Sequence, residues 1–303
     1  MLGEIFYWIF NMSIAASICS IPIIFIRRIR KIPRRFFLWL WLIPFTRMSI
    51  PIGISSDFGI MALLSKITTK TVTIYEFGDN KALTMMNHIM GATEYFPITY
   101  KYNILENLFE VASIIWLSVA LTAIIFLFAI YAVTLKEMKN ACHFKDNIYF
   151  SDKINSPAVY GIFKPKIILP LEYEDRELKY VLLHENAHIK RRDNLIRLVA
   201  FIIACIHWFN PLLWLVLKML YSDIELACDE KALTGCSENE RKEYARSLLY
   251  AVEKASIFAA AFGGAKVKTR IENILSYKKI SLFSIISFSI LVITIAYVLL
   301  TNA

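Results

Sequence analysis

The run at 109–135 constrains this chain more than any other feature, being almost entirely Ile, Leu, Val, Ala and Phe. About 20 apolar residues in a helix match a hydrocarbon core of about 30 Å, so a run this long points to lipid. Comparable apolar blocks stand at 3–26, 36–54 and 280–300. Inside lipid the backbone must satisfy its own hydrogen bonds, so each block is expected to be a helix. Composition agrees: 57% of the residues are hydrophobic and only 19% charged, which excludes an ordinary soluble domain.

The charges set an orientation. Arg27, Arg28, Arg30, Lys31, Arg34 and Arg35 lie between the first two blocks, Lys136, Lys139 and Lys145 follow the third, and Lys278 and Lys279 precede the last. Basic residues favour the cytoplasmic side, and the three places agree on one topology. The expected plan is a transmembrane hairpin at 1–54, an extracellular loop at 55–108, a third span at 109–135, a cytoplasmic domain at 136–279 and a fourth span at 280–303. The first block is too long for a signal-peptide core, and basic residues follow it instead of a small-residue cleavage site. These flanks also explain the net charge of +9, and no nucleic-acid-reading motif accompanies them, so direct nucleic-acid binding is not expected.

Several features interrupt the apolar pattern. Arg47 falls in the second block and is expected to face other helices or to anchor a helix end. A further apolar block at 195–220 contains Arg197, His207, Asn210, Pro211 and Lys218. Such a sequence reads as two helices broken at Asn210-Pro211, either buried in the domain or dipping into the membrane. Gly59, Gly78-Asp79-Asn80 and Gly91 mark turns in the exterior loop, where His88 reads as a surface residue. The five cysteines, Cys19, Cys142, Cys205, Cys228 and Cys236, show no CxxC spacing and are expected to be reduced packing residues.

The chemistry-bearing segment is His184-Glu185-Asn186-Ala187-His188, an HExxH. Residues four apart on a helix share a face, one turn apart, so two imidazoles can chelate one zinc ion. Glu185 then stands beside the open coordination position, where it can take a proton from water. The chain has only five histidines, and two of them framing a Glu this way is rare by chance, on the order of one in a few hundred.

A catalytic zinc needs a third protein ligand. No third His follows at metzincin spacing, but Asp223, Glu225, Asp229 and Glu230 lie downstream on an expected helix. Glu225 and Asp229 are four apart, so one can bind metal while the other holds a ligand imidazole. The chemistry alone does not rank them, and a solvated acidic face competes. His207 could stabilise an oxyanion, but a lone His on an apolar face reads better as a hydrogen-bonded core residue.

Four stretches in order resemble the BlaR/MecR-type membrane metallopeptidases, the antibiotic sensor-transducers of bacteria. They are GIFKPKIILP at 161–170, HENAHIKRRDN at 184–194, WFNP at 208–211 with Trp214, and ELACDE at 225–230. Together they cover about residues 136 to 275. The resemblance implies that Glu225 is the third zinc ligand and Asp229 the partner of a ligand imidazole. It also implies that Gly161, Ile162, Phe163, Lys164 and Pro165 belong to an edge strand along the cleft, able to hold a peptide by strand addition. Better-known members act in signalling that ends in removal of a winged-helix repressor, and they continue into a penicillin-binding sensor. This chain stops at Ala303, so beta-lactam sensing is not expected. The family is also associated with self-cleavage, for which 262–270 offers an accessible site, although a plain connector is the simpler reading.

The sequence therefore reads as a mainly α membrane protein with about four transmembrane helices and a cytoplasmic, gluzincin-like zinc metallopeptidase domain, α-rich with a small β element. The expected activity is zinc-dependent cleavage of a cytoplasmic or membrane-proximal protein at a bacterial plasma membrane. Processing of a peptide precursor or protein quality control would use the same site. A non-enzymatic scaffold is the rival of a different class, and the intact Glu185 argues against it.

Overall fold

The computed structural model describes residues 2–29, 32–50, 54–55, 103–154, 156–171, 175–253, 267–276 and 282–302. Helix α1 (Leu2–Arg27) and helix α2 (Arg34–Ser49) form a hairpin whose turn carries the basic cluster. Pro33 precedes α2 with φ −61°, a value its ring imposes, and it offers no side-chain cap. Glu230 supplies the cap from elsewhere in the chain, accepting the backbone N–H groups of Arg34 at 2.8 Å and Arg35 at 3.4 Å.

Among the described residues three helices are long and apolar enough to cross a membrane: α1, α3 (Asn103–Glu137) and α9 (Leu282–Leu300). Both α3 and α9 present large apolar side chains outward, such as Ile125, Phe126, Phe283 and Ile293. The block expected to span at 36–54 differs. Helix α2 has 16 residues, about 24 Å, and ends at Ser49. Ile50, which precedes Pro51, is extended, the conformation a following proline favours. Beyond it β1 (Ile54–Ser55) pairs in parallel with β6 (Thr301–Asn302) after α9. Helix α2 is buried through Phe37, Leu40 and Trp41, and Arg47 is buried among the helices as well.

The zinc-motif segment begins with a 3₁₀ turn, Met138–Asn140, and a four-stranded sheet. Its strands β2 (Cys142–Lys145), β3 (Ile148–Ser151), β4 (Ala158–Tyr160) and β5 (Lys166–Pro170) lie in the order β2-β3-β5-β4. Only β3 and β5 pair in parallel. Ile167, Ile168 and Leu169 of β5 are fully buried, and Ile167 and Leu169 pack with Val181 of the following helix, α4 (Asp175–Arg191). A continuous apolar run suits a strand covered on both faces.

The expected edge strand is thus corrected. Gly161, Ile162, Phe163, Lys164 and Pro165 form the turn between β4 and β5, β5 is an interior strand, and the edge on that side is β4. Gly161 has φ +89°, and a Cβ there would stand 2.7 Å from the Lys164 carbonyl oxygen, so this turn requires glycine.

Helix α5 (Asp193–Ile206) and helix α6 (Pro211–Ala232) are the two expected halves of the broken apolar block. Asn210 caps α6, accepting from the backbone of Leu212 and Leu213, and Pro211 occupies the first turn, where no N–H is missed. This tip packs against the membrane helices. Asn210 Nδ2 donates to Ser13 Oγ and Ser17 Oγ, each at 2.8 Å, and Trp116 Nε1 donates to the Ile206 carbonyl at 2.7 Å. At the other end of the apposition Asp223 is fully buried and binds Arg27 Nε and Trp41 Nε1, both at 2.8 Å. Helix α6 therefore runs beside α1 from Arg27 to Ser13, a distance of about 21 Å. Helices α7 (Glu238–Glu253) and α8 (Val267–Leu275) close the far side of α4 and α6.

Candidate metal centre

Helix α4 stacks His184 and His188 one turn apart, and their Nε2 atoms approach to 3.1 Å. Glu225 reaches them from α6, with Oε2 3.5 Å from His184 Nε2 and Oε1 3.7 Å from His188 Nε2. Atoms bound tetrahedrally to zinc at about 2.0–2.1 Å lie about 3.3–3.4 Å apart, so these three separations suit a shared ion. Two imidazole nitrogens and a carboxylate also form a donor set that zinc favours. Glu185, the residue after His184 on α4, is 7% exposed.

The other ring nitrogens are held by carboxylates. His188 Nδ1 donates to Asp193 Oδ2 at 2.6 Å. His184 Nδ1 lies 2.9 Å from Tyr244 Oη and 3.1 Å from Asp229 Oδ1, and Tyr244 donates to that same Asp229 oxygen at 2.8 Å. Hydrogen bonds at Nδ1 fix the rings and leave Nε2 available for metal.

The Asp193 contact follows from a break in the helix. Arg192 is left-handed (φ 57°, ψ 39°), which ends α4 and starts α5 at Asp193, so the chain turns back toward His188. Asn194, the next residue, donates from Nδ2 to the carbonyls of Val159 at 2.9 Å and Gly161 at 3.2 Å, tying the β4 edge to the same corner.

Two arginines surround the carboxylates. Arg270 of α8 binds Asp229 in a two-point fork, Nε to Oδ2 at 2.8 Å and Nη2 to Oδ1 at 2.7 Å. Its Nη1 lies 3.5 Å from Glu225, and Nη2 lies 3.3 Å from His184 Nε2. Arg197 of α5 pairs directly with Glu225.

Burial opposes ionisation of Glu225, but the His184 hydrogen bond and the charges of Arg197 and Arg270 outweigh it and hold its carboxyl well below the usual range. Asp229 is likewise held low, against burial, by Arg270. Burial also disfavours a charged His188, yet the Asp193 hydrogen bond pushes its imidazole up to about 9.

One further donor stands here. Cys228 is fully buried on α6, three residues beyond Glu225, and its sulfur and a nitrogen from each of His184 and His188 all lie within 4.8 Å of one another.

Of the residues expected from sequence, the structure brings together His184, His188, Glu225 and Asp229, with Glu185 buried next to His184 on α4. It does not bring His207, whose Nε2 contacts the Met48 carbonyl at 3.2 Å at the far end of α5, about 20 Å along the helix. His207 is 1% exposed, in keeping with its reading as a core residue. Sequence reasoning missed Asp193, Asn194, Arg197, Tyr244 and Arg270. Arg197 carried a signal, being a charge inside an apolar block, and Asp193 and Asn194 close the HENAHIKRRDN stretch; nothing local marked Tyr244. Of the proposed self-cleavage segment, Val267–Arg270 is helical, and 262–266 lie outside the described residues, as do 56–102 of the exterior loop.

Comparison with known proteins agrees with this geometry. The family model "BlaR1 peptidase M56" matches residues 7–274. The methicillin resistance mecR1 protein of Staphylococcus aureus is 31% identical over 126 residues, which is 38% of this chain and 22% of that protein. Regulatory protein BlaR1 of Bacillus licheniformis is 33% identical over 129 residues, 39% of this chain and 22% of its own length. Regulatory protein BlaR1 of Staphylococcus aureus is 33% identical over 144 residues, 43% and 25% respectively. The matched stretches thus span about a quarter or less of these relatives. With its family model covering most of the sequence and its apolar helices in place, this chain belongs to the BlaR1 peptidase family, M56, a family of membrane metallopeptidases.

Proposed function

We propose that this chain is an integral membrane zinc endopeptidase that cleaves a cytoplasmic or membrane-proximal protein in a regulatory pathway. The observation that carries the reading is the convergence of His184, His188 and Glu225 at 3.1–3.7 Å, with carboxylates behind both imidazoles. A zinc ion held there would supply a Lewis acid for the scissile carbonyl and would acidify water. Glu185 would serve as the general base that accepts a proton from the attacking water and passes it to the leaving amine. Asp193 and Asp229 keep the imidazoles oriented, and Arg270 keeps Asp229 ionised and in place. A substrate strand would add to the sheet edge at β4, beside the turn formed by Gly161–Pro165, since α4 packs beneath that edge.

The reading places α1, α3 and α9 across a bacterial plasma membrane, with the basic flanks and the metal centre on the cytoplasmic side. The shorter α2 would be the fourth crossing and would return the chain to the outer face, where β1 pairs with β6 beyond α9; the α5–α6 hairpin would enter the bilayer from the cytoplasmic side, with Asn210 and the Ile206 carbonyl met by α1 and α3. A regulatory role is supported by the name of the BlaR1 relatives, "regulatory protein". A winged-helix repressor, implied by the resemblance, is the first substrate to test, and self-cleavage the second.

The test is to purify the full chain and its Glu185→Gln variant in detergent and incubate each with cytosolic proteins of the host. Fragments from the wild type alone establish the peptidase and identify its substrate. Identical fragments from both remove Glu185 from the chemistry, and cleavage of precursor peptides without any repressor cleavage would assign a processing role.

A further inference from the structure

We propose that Cys228 is a fourth, displaceable ligand of the metal centre, so that the resting chain holds a closed His184–His188–Glu225–Cys228 site. The inference rests on the zinc reading above and extends it to how the site is kept latent.

Cys228 is 0% exposed, and its sulfur shares a sphere of 4.8 Å with nitrogens of both histidines. It lies three residues beyond Glu225 on α6, a spacing that places both on one side of the helix, and Glu225 meets α4 at His184. Its Sγ donates to the His184 carbonyl at 3.3 Å, a contact that fixes the side chain against the very turn of α4 that carries the two imidazoles. Packing alone would be served by any small apolar residue here. A thiol adds a soft donor that binds zinc as thiolate at about 2.3 Å.

The consequence is functional. Catalytic zinc sites keep one position open for water, whereas sites with four protein ligands are closed. On coordination the Cys228 thiol passes its proton to solvent and its sulfur lone pair fills the fourth position. On activation the sulfur–metal bond breaks, the sulfur regains a proton from solvent, and water takes the vacated position. No electron changes hands. The device suits helix α6, which is gripped at Asp223 by Arg27 and at Glu230 by the backbone of Arg34 and Arg35. A movement of the α1–α2 hairpin is thereby carried to the helix that bears both Glu225 and Cys228.

The test uses the full chain in detergent, loaded with Co²⁺ as a spectroscopic substitute for zinc. The expected result is a sulfur-to-cobalt charge-transfer band in the near ultraviolet for the wild type, absent from Cys228→Ser and Cys228→Ala. Zinc affinity should fall about 10-fold or more in both variants, while basal cleavage rises. X-ray absorption at the zinc edge of the wild type needs no variant and should show one sulfur neighbour at about 2.3 Å. Cobalt uptake with no sulfur band, or a zinc shell of nitrogen and oxygen only, overturns the proposal and leaves Cys228 as packing. Failure of the wild type to take up either metal removes the zinc reading itself, an outcome distinct from the first.

Discussion

Between Asp175 and Ala232 the chain breaks its helix twice, and the two breaks bury polar groups to different ends. At Arg192 a single left-handed residue turns the chain so that Asp193 meets His188 and Asn194 meets the sheet edge. At 207–210 the chain turns through a capped junction, and its polar groups go to Met48, Ser13 and Ser17 of the membrane helices. The first break builds chemistry, and the second docks the α5–α6 hairpin. At both breaks buried polar groups find partners, although His207 Nδ1 and Trp208 Nε1 at the second have none among the described residues. They differ in where the partners lie: 5 to 35 residues away at the first break, and 159 to 197 residues away at the second.

The acids of α6 divide in the same way. Asp223 and Glu230 hold the α1–α2 hairpin, while Glu225 and Asp229, interleaved with them, serve the metal centre. One helix thus carries both the contact to the α1–α2 hairpin and the carboxylate that meets the two imidazoles.

This division is open to test, most strongly at the reacting group itself. Glu185→Gln should lower peptide cleavage by about 10²–10⁴-fold while leaving zinc content and unfolding temperature near those of the wild type. Loss of zinc in this variant would mean that Glu185 holds the centre together rather than serving as its base. At the first break, Asp193→Ala should weaken zinc binding by about 10–100-fold, because His188 loses the group that orients it. Competition with a metal indicator measures this directly, and an unchanged affinity would strip the break of its chemical role.

The second break should answer in the opposite manner. Asn210→Ala removes a helix cap and two hydrogen bonds to serines, so stability in detergent should drop by about 1–2 kcal/mol. Zinc affinity should be unaffected, and a fall comparable to that of Asp193→Ala would erase the distinction between the two breaks. The smallest effect is expected at the sheet. Gly161→Ala strains a left-handed turn and should cost about 1 kcal/mol or more, with KM for peptide raised more than kcat is lowered if the β4 edge receives substrate.

The legibility of each feature follows from the range of its interactions. The stacking of His184 and His188 was readable because the two lie one helical turn apart, where spacing alone fixes geometry. The long apolar helices α1, α3 and α9 were readable because their apolar runs are continuous over the length a bilayer demands. Helix α2 was read as longer than it is, since the apolar run continues past Pro51 while the helix stops at Ser49. The edge strand was misplaced because GIFKPKIILP contains both a glycine turn and an interior strand, and period alone does not separate them. Glu225 and Asp229 were visible as a pair but unranked by chemistry, since the ranking depends on which oxygen meets which ring. Tyr244 and Arg270 reach the centre from α7 and α8, and no local pattern marks a residue whose function is set by a neighbour 41 or 60 residues away.

The central claim is that α4 and α6 together hold one metal ion, and zinc stoichiometry tests it most directly. The full chain, His188→Ala and Glu225→Ala should be purified in detergent, checked for retained helical content, and analysed for zinc by mass spectrometry. The account predicts about one zinc per wild-type chain and a large loss in both variants. A wild-type chain free of zinc after purification in zinc-containing buffer, or full retention by both variants, would contradict it.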